Sequence, residues 1–365
     1  MVHFTSFSIL ALALLAASVP VQADGYHRCH PASGSGTAPT VAATAVFQPG
    51  QYSLGSGLDG AGVDAQGALF VAHNGLADPS HTITKLTNID QPSIFFTAPS
   101  QLTGAFGDVR FQTIKTGTGN QTQQLYITDL KTPRVFALPA ASTSVQPDPN
   151  QFRVFCQDAQ MMAPYGISVS RQGNVYIVGQ KVVSTTKVGD GDLWLCNSQG
   201  HPTRLDTLTR PNGVDATYQG DTLYVAESTL TNGAVSGAKV WRYQLDPATG
   251  HVVVDAATKA PVKTVLVDFE MLDKTGSTPS YALVTDVNNN VFVSRNALNK
   301  VVKLSPQGQV LATITVPTST ISSMALGGSD GKTLYIVGTC AGSTTNGCVY
   351  SWTNDAAGSA WQMQQ

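Results

Sequence analysis

Six short loops in this chain deliver polar side chains just ahead of a repeated aromatic strand: Asp59, Asp108, Tyr165, Asn212, Ser280 or Tyr281, and Ser322 or Ser323. Two carboxylates and an amide suit a hard cation, which takes oxygen ligands. A cation so held polarises a carbonyl and lowers the pKa of a bound water. A carboxylate within hydrogen-bond reach can then take that water's proton. The alternative role for either Asp is local, because acidic turn residues bond the backbone beside them. Serine-nucleophile chemistry lacks its parts: no G-x-S-x-G elbow occurs, and the seven His lie outside these loops. His27, Cys29 and His30 could meet at a metal, but they precede a Ser/Gly-rich stretch that suits a tail and linker.

These residues share a site only if the elements behind them converge. A triplet of Val/Leu, Phe/Tyr and Val/Ile recurs around Phe70, Tyr126, Tyr176, Tyr224, Phe292 and Tyr335, at separations of 56, 50, 48, 68 and 43 residues. Periods near 40 to 50 residues signal propellers, solenoids or arrays. Each copy has an apolar run, a turn, the aromatic strand and a third β-rich run, and most add a fourth. No stretch between them keeps a helical period. The chain therefore predicts an all-β fold over residues 40–365, a six-bladed β-propeller of four-stranded antiparallel blades. The six aromatics are expected between blades, and the six loops at one mouth of the central channel. Ring closure has two candidates, the run from Thr40 to Gly50 and "SAWQMQQ" at the C-terminus.

Charge and cysteine bound the setting. Charged residues make up 12% of the 365 and the net charge is -2, which leaves no footprint for nucleic acid. No basic run suggests a membrane surface. Residues 1–23 carry an apolar run and end Val-Gln-Ala, as a secretory leader does. Residues 24–39 would then be a flexible tail, and the mature protein would be secreted with no membrane partner. Five cysteines follow that cut, so one is left over. Cys340 and Cys348 flank a turn-like loop and are expected to bond; Cys156 with Cys196 is the second pairing. Asn120, in "NQT", is an acceptor sequon for glycan in a eukaryotic source.

Three stretches resemble the senescence marker protein/gluconolactonase family. They are "SSMALGG" followed by "KTLYIV", "RPNGVDATYQGDTLYVAES" with its Pro-Asn-Gly, and "DGAGVDAQGALFVAH", similar to an opening Glu-Gly-Pro motif. The repeat grammar extends from Ser53 to Val349. The resemblance implies a divalent cation, calcium or zinc, on the channel axis, with Asp59 and Asn212 as ligands. It also implies an Asp in blade five as ligand and base, where this chain has Ser280 and Tyr281. The next carboxylate, Asp286, is expected at the turn beyond the inner strand. Of an Asn-Asp pair in blade two, "FGDVRF" keeps only Asp108, which becomes the candidate catalytic base. Tyr165, Tyr281 and Ser323 are the candidate substrate contacts.

Two functions follow. One is a secreted hydrolase of the gluconolactonase type that opens a sugar lactone or similar small ester. The other is a non-catalytic propeller that binds a small ligand or a protein, favoured by the missing blade-five Asp.

Overall fold

The computed structural model describes residues 37–46, 54–55, 57–74, 81–86, 92–100, 102, 104–115, 121–140 and 143–365. The leader, Cys29 and Asn120 lie outside the described residues. Among the described residues six sheets form, one per repeat, each with four strands running antiparallel from an inner strand outward. The inner strands are Leu58–Val63, Phe106–Lys115, Ala163–Val169, Arg210–Ala216, Ser280–Thr285 and Thr318–Gly327. Blade three acquires a fourth strand, Pro202–Leu208, that no β-rich run in the sequence announces. Its burial follows no strict alternation and its apolar residues are only Leu205 and Leu208, three apart, so its pattern is weak.

The six repeated aromatics sit on equivalent second strands and are all buried. Each packs into the following blade. Phe70 meets Phe106, Val109 and Phe111 of blade two, and Tyr126 meets Ile167 and Ile177 of blade three. Tyr176 meets Val214 and Val225, and Tyr224 meets Leu283 and Val293. Phe292 meets Met324 and Ile336, and Tyr335 closes the circle against Val63 and Val71 of blade one. No blade could bury its sheet alone, which is the physical reason the repeat must recur.

Of the two candidates for closure, the run from Thr40 supplies it. Residues Thr44–Ala45 pair antiparallel with Gly347–Thr353 as the fourth strand of blade six. Just before them, Thr40–Ala42 adds a fifth, parallel strand to blade five against Val310–Thr315. The N-terminal segment thus ties two blades together. The competing C-terminal stretch becomes a short helix, Ser359–Gln362. Its following Gln364 donates from Nε2 to the Val63 carbonyl at 2.9 Å, and with Arg110 and Asp215 it lines the far end of the channel.

Among the described residues, two disulfides form. Cys340–Cys348 staples the hairpin of blade six. Cys156–Cys196 joins the outer strand of blade two to the third strand of blade three. Among the described residues, no helix is long and apolar enough to cross a membrane.

Candidate functional site

Strand register ranks the channel residues. The repeated aromatics pair with Gly62, Arg110, Ser168, Asp215, Val284 and Ala325 on the inner strands. Three residues earlier in each blade stand Asp59, Gly107, Tyr165, Asn212, Tyr281 and Ser322. These six positions form one ring at the channel mouth. Asp108 and Ser323 lie one residue deeper, and Ser280 one residue further out. Tyr281 is therefore the blade-five counterpart of Asp59 and Asn212. Asp286 falls at the turn beyond the inner strand, where it accepts from the Asn288 and Asn290 backbone N–H groups at 3.0 Å each.

The inner strands approach one another closely here. A Cβ on Gly166 would collide with the Asn212 carbonyl, and one on Gly213 with that of Tyr281. Both glycines are needed for backbone approach rather than for turn geometry.

Asp59, Asp108, Arg110, Tyr165, Asn212 and Ser323 line one cavity with about 20 Å³ of free volume. That is room for a single water or a bare ion. Any organic ligand must therefore lie above it, against the mouth. Asp59, Tyr165, Tyr281 and Ser322 are half-buried and reach the mouth, whereas Asn212 and Ser323 are buried.

Asp108 is heavily engaged on one oxygen. Its Oδ1 accepts from Arg110 Nη1 at 3.0 Å, from Ser323 Oγ at 3.2 Å and from the Ala61 N–H at 3.2 Å. Its Oδ2 has only a long contact from the Ile167 N–H at 3.5 Å among these, the outer limit of a hydrogen bond. Burial raises the Asp108 pKa, against the lowering effect of Arg110 and the backbone donors. Burial also lifts Asp59 to about 6; a bond from Asn74 opposes this and the Asp108 charge adds to it. Below Arg110, the buried Asp215 accepts from Ser168 Oγ at 2.8 Å and from the Thr285 N–H at 2.8 Å. Asp108 and Asp215 thus share the Arg110 guanidinium, which acts to lower the pKa of both.

Arg210 and Asn212 lie beside the Tyr281 hydroxyl and act to lower its pKa, against the larger effect of burial. Desolvation raises the pKa of both Tyr281 and Tyr165, so both hydroxyls remain protonated at neutral pH. Arg210 is held in turn by Gln180, Nε to Oε1, at 2.7 Å.

A cation can be tested against these donors. Among the described residues, no three His, Cys, Asp or Glu side chains group to hold a metal, and the Asn212 amide is a further donor in the ring. Asn212 Nδ2 is buried without a partner. Turning the amide over, which exchanges O and N at nearly equal shape, would present Oδ1 there instead. Asp59 offers a second oxygen from a carboxylate that burial leaves short of compensation. Asp59 and Asn212 therefore fit a hard cation, while Asp108 is committed through Oδ1 to Arg110. The Ser323 hydroxyl donates to Asp108 Oδ1 and accepts from the Ala61 N–H at 3.1 Å.

Sequence reasoning passed over Arg110 and Arg210. Arg110 carried a signal: it follows Asp108 by two residues in "FGDVRF", and alternate residues of a strand share a face. Arg210 stands directly before the Pro-Asn-Gly motif.

Comparison with known proteins returns the same architecture. Residues 156–339, just over half of the chain, match the SMP-30/gluconolactonase/LRE-like region. No curated protein sequence matches. A regucalcin described as a calcium-binding protein, from Agrobacterium tumefaciens, superposes with a TM-score of 0.60 at 13% identity, covering 88% of this chain and 98% of that one. A luciferin-regenerating enzyme gives 0.59 at 15% identity, covering 84% and 95%. A gluconolactonase from Xanthomonas campestris gives 0.56 at 12% identity, covering 87% and 98%. At such identities the likeness is one of fold.

Proposed function

Because the chain belongs to the SMP-30/gluconolactonase/LRE-like family, we propose that it is a lactonase-type hydrolase, opening a sugar lactone or similar small ester at the channel mouth. The reading includes a divalent cation, calcium or zinc, held by Asp59 and Asn212. One observation carries it: a half-buried carboxylate raised to about 6 and a buried amide whose Nδ2 has no hydrogen-bond partner line the same cavity.

When bound, the cation supplies Lewis-acid polarisation of the ester carbonyl. The chain's own residues do the rest. Asp108 accepts the proton of the attacking water on Oδ2, the oxygen that Arg110 does not occupy. Arg110, Ser323 and the Ala61 N–H hold the carboxylate so that Oδ2 faces the cavity. Water adds to the carbonyl carbon, the ring C–O bond breaks, and the proton returns to the departing alkoxide. The product is the open hydroxy acid. The protonated hydroxyls of Tyr165 and Tyr281 border the mouth and orient the ring.

A lactone panel with and without added calcium or zinc tests this. Hydrolysis that Asp108→Asn abolishes, while metal-dependent stabilisation persists, supports the reading. A second reading keeps its own support: Tyr281 stands where a ligand carboxylate is expected from the resemblance, and suits a ligand-binding propeller without turnover. Metal-dependent stabilisation with no hydrolysis of any lactone would favour it. The two disulfides support secretion into an oxidising compartment, which expression with the native leader and assay of the medium would test.

A further inference from the structure

Three blades pair the repeated aromatic with a cation on the neighbouring strand: Phe70 with Lys85, Tyr224 with Arg242, and Phe292 with Lys303. In blades one and five that cation is buried and clamps the next blade. Lys85 Nζ donates to the Thr143 carbonyl at 2.7 Å, and Lys303 Nζ to Asn354 Oδ1 at 2.8 Å. In blade four the equivalent residue is exposed. Arg242 Nη1 reaches blade five at the Pro306 carbonyl, at 3.3 Å. A cleft of about 310 Å³ lies between blades four and five at that point. It opens past the C-terminal ends of the inner strands, opposite the channel mouth.

The cleft's lining is specific in kind. Asp221, Tyr224, Arg242 and Asn289 border it, with Lys263 held by Asp206 at 2.6 Å. Asn289 has a φ of +63°, and its buried Oδ1 has no hydrogen-bond partner. A ligand hydroxyl, both donor and acceptor, satisfies either end of that amide. Burial pushes Tyr224 up to about 12, with Arg242 lowering and Asp221 raising it, so its hydroxyl remains a donor. A guanidinium asks for an anion, preferably a planar carboxylate. An Asp carboxylate and an amide ask for hydroxyls. The volume is at the small end of ligand pockets, enough for one sugar ring.

We propose that this inter-blade cleft binds a hydroxylated carboxylate of monosaccharide size, a uronate, with its carboxylate on Arg242 and its hydroxyls on Asn289 and Asp221. The site is independent of the channel and of the hydrolase reading.

Isothermal titration with glucuronate as the probe tests it, with glucose and acetate as controls. Glucuronate should bind wild type, and each control at least ten-fold more weakly, since each satisfies half of the lining. Arg242→Ala should weaken glucuronate about ten-fold or more, and Tyr224→Phe, which keeps the packed ring, by a smaller factor. Asn212→Ala should leave glucuronate binding unchanged. Should Arg242→Ala not fold, Arg242→Gln and Asn289→Gly carry the same comparison, since glycine accepts the positive φ. The proposal is overturned if glucuronate does not bind, if the cleft variants bind it as wild type does, or if Asn212→Ala abolishes the binding.

Discussion

Arg110 and Asp108 form an ion pair inside the channel, with Nη1 3.0 Å from Oδ1 and side chains only 7% and 14% exposed. The same guanidinium nitrogen donates to the Ala61 carbonyl at 2.6 Å and to the Val109 carbonyl at 2.8 Å. The pair thus pins blade two to blade one at the level where the candidate base must be oriented.

Breaking one half of that pair leaves a buried charge alone. Arg110→Met should destabilise the fold by about 3–5 kcal/mol. The double variant Asp108→Asn/Arg110→Met should recover much of that loss. Urea denaturation of the single and double variants gives the comparison; equal loss in both would contradict the pairing.

Asp59 sets a pH dependence of defined sign. Its folded pKa, about 6, lies above the ordinary value of 3.8. Between these values the folded protein binds more protons than the unfolded chain, so stability falls as pH rises from about 4 to about 6. The loss is at most about 3 kcal/mol. Asp59→Asn should flatten that segment of the stability curve, read from denaturation midpoints at stepped pH.

Metal should reverse the same strain. Calcium or zinc should raise the wild-type Tm, because an ion that binds the native state and not the chain stabilises it. The rise should shrink in Asn212→Ala and shrink further in Asp59→Ala, which also removes a formal charge. Scanning fluorimetry across a metal titration gives the ranking; an unchanged wild-type Tm would remove the cation from the proposal.

The two disulfides should differ in weight. Cys156–Cys196 spans 40 residues and Cys340–Cys348 spans 8. By loop-closure entropy, replacing the first pair by Ser should cost about 4 kcal/mol and the second about 2.5 kcal/mol. The first also loses a link between blades. Denaturation of the two double variants in parallel measures the order.

Local pattern determined the number of blades and their inner three strands. Alternating strands, Gly-rich turns and the aromatic triplet recur within about 50 residues, and each reports its own strand without reference to the rest. The Cys340–Cys348 staple was legible for the same reason, its partners facing each other across one hairpin. The resemblance pointed to Asp59 and Asn212, and register places them in one ring. What tertiary structure decided depends on partners far apart in the chain. Ser323 reaches Asp108 across 215 positions, and the N-terminal strands find blades five and six at the other end of the sequence. Arg110 reads in sequence as one more strand residue. Only the closing of the ring buries its guanidinium between carboxylates of blades two and four, which answer its charge.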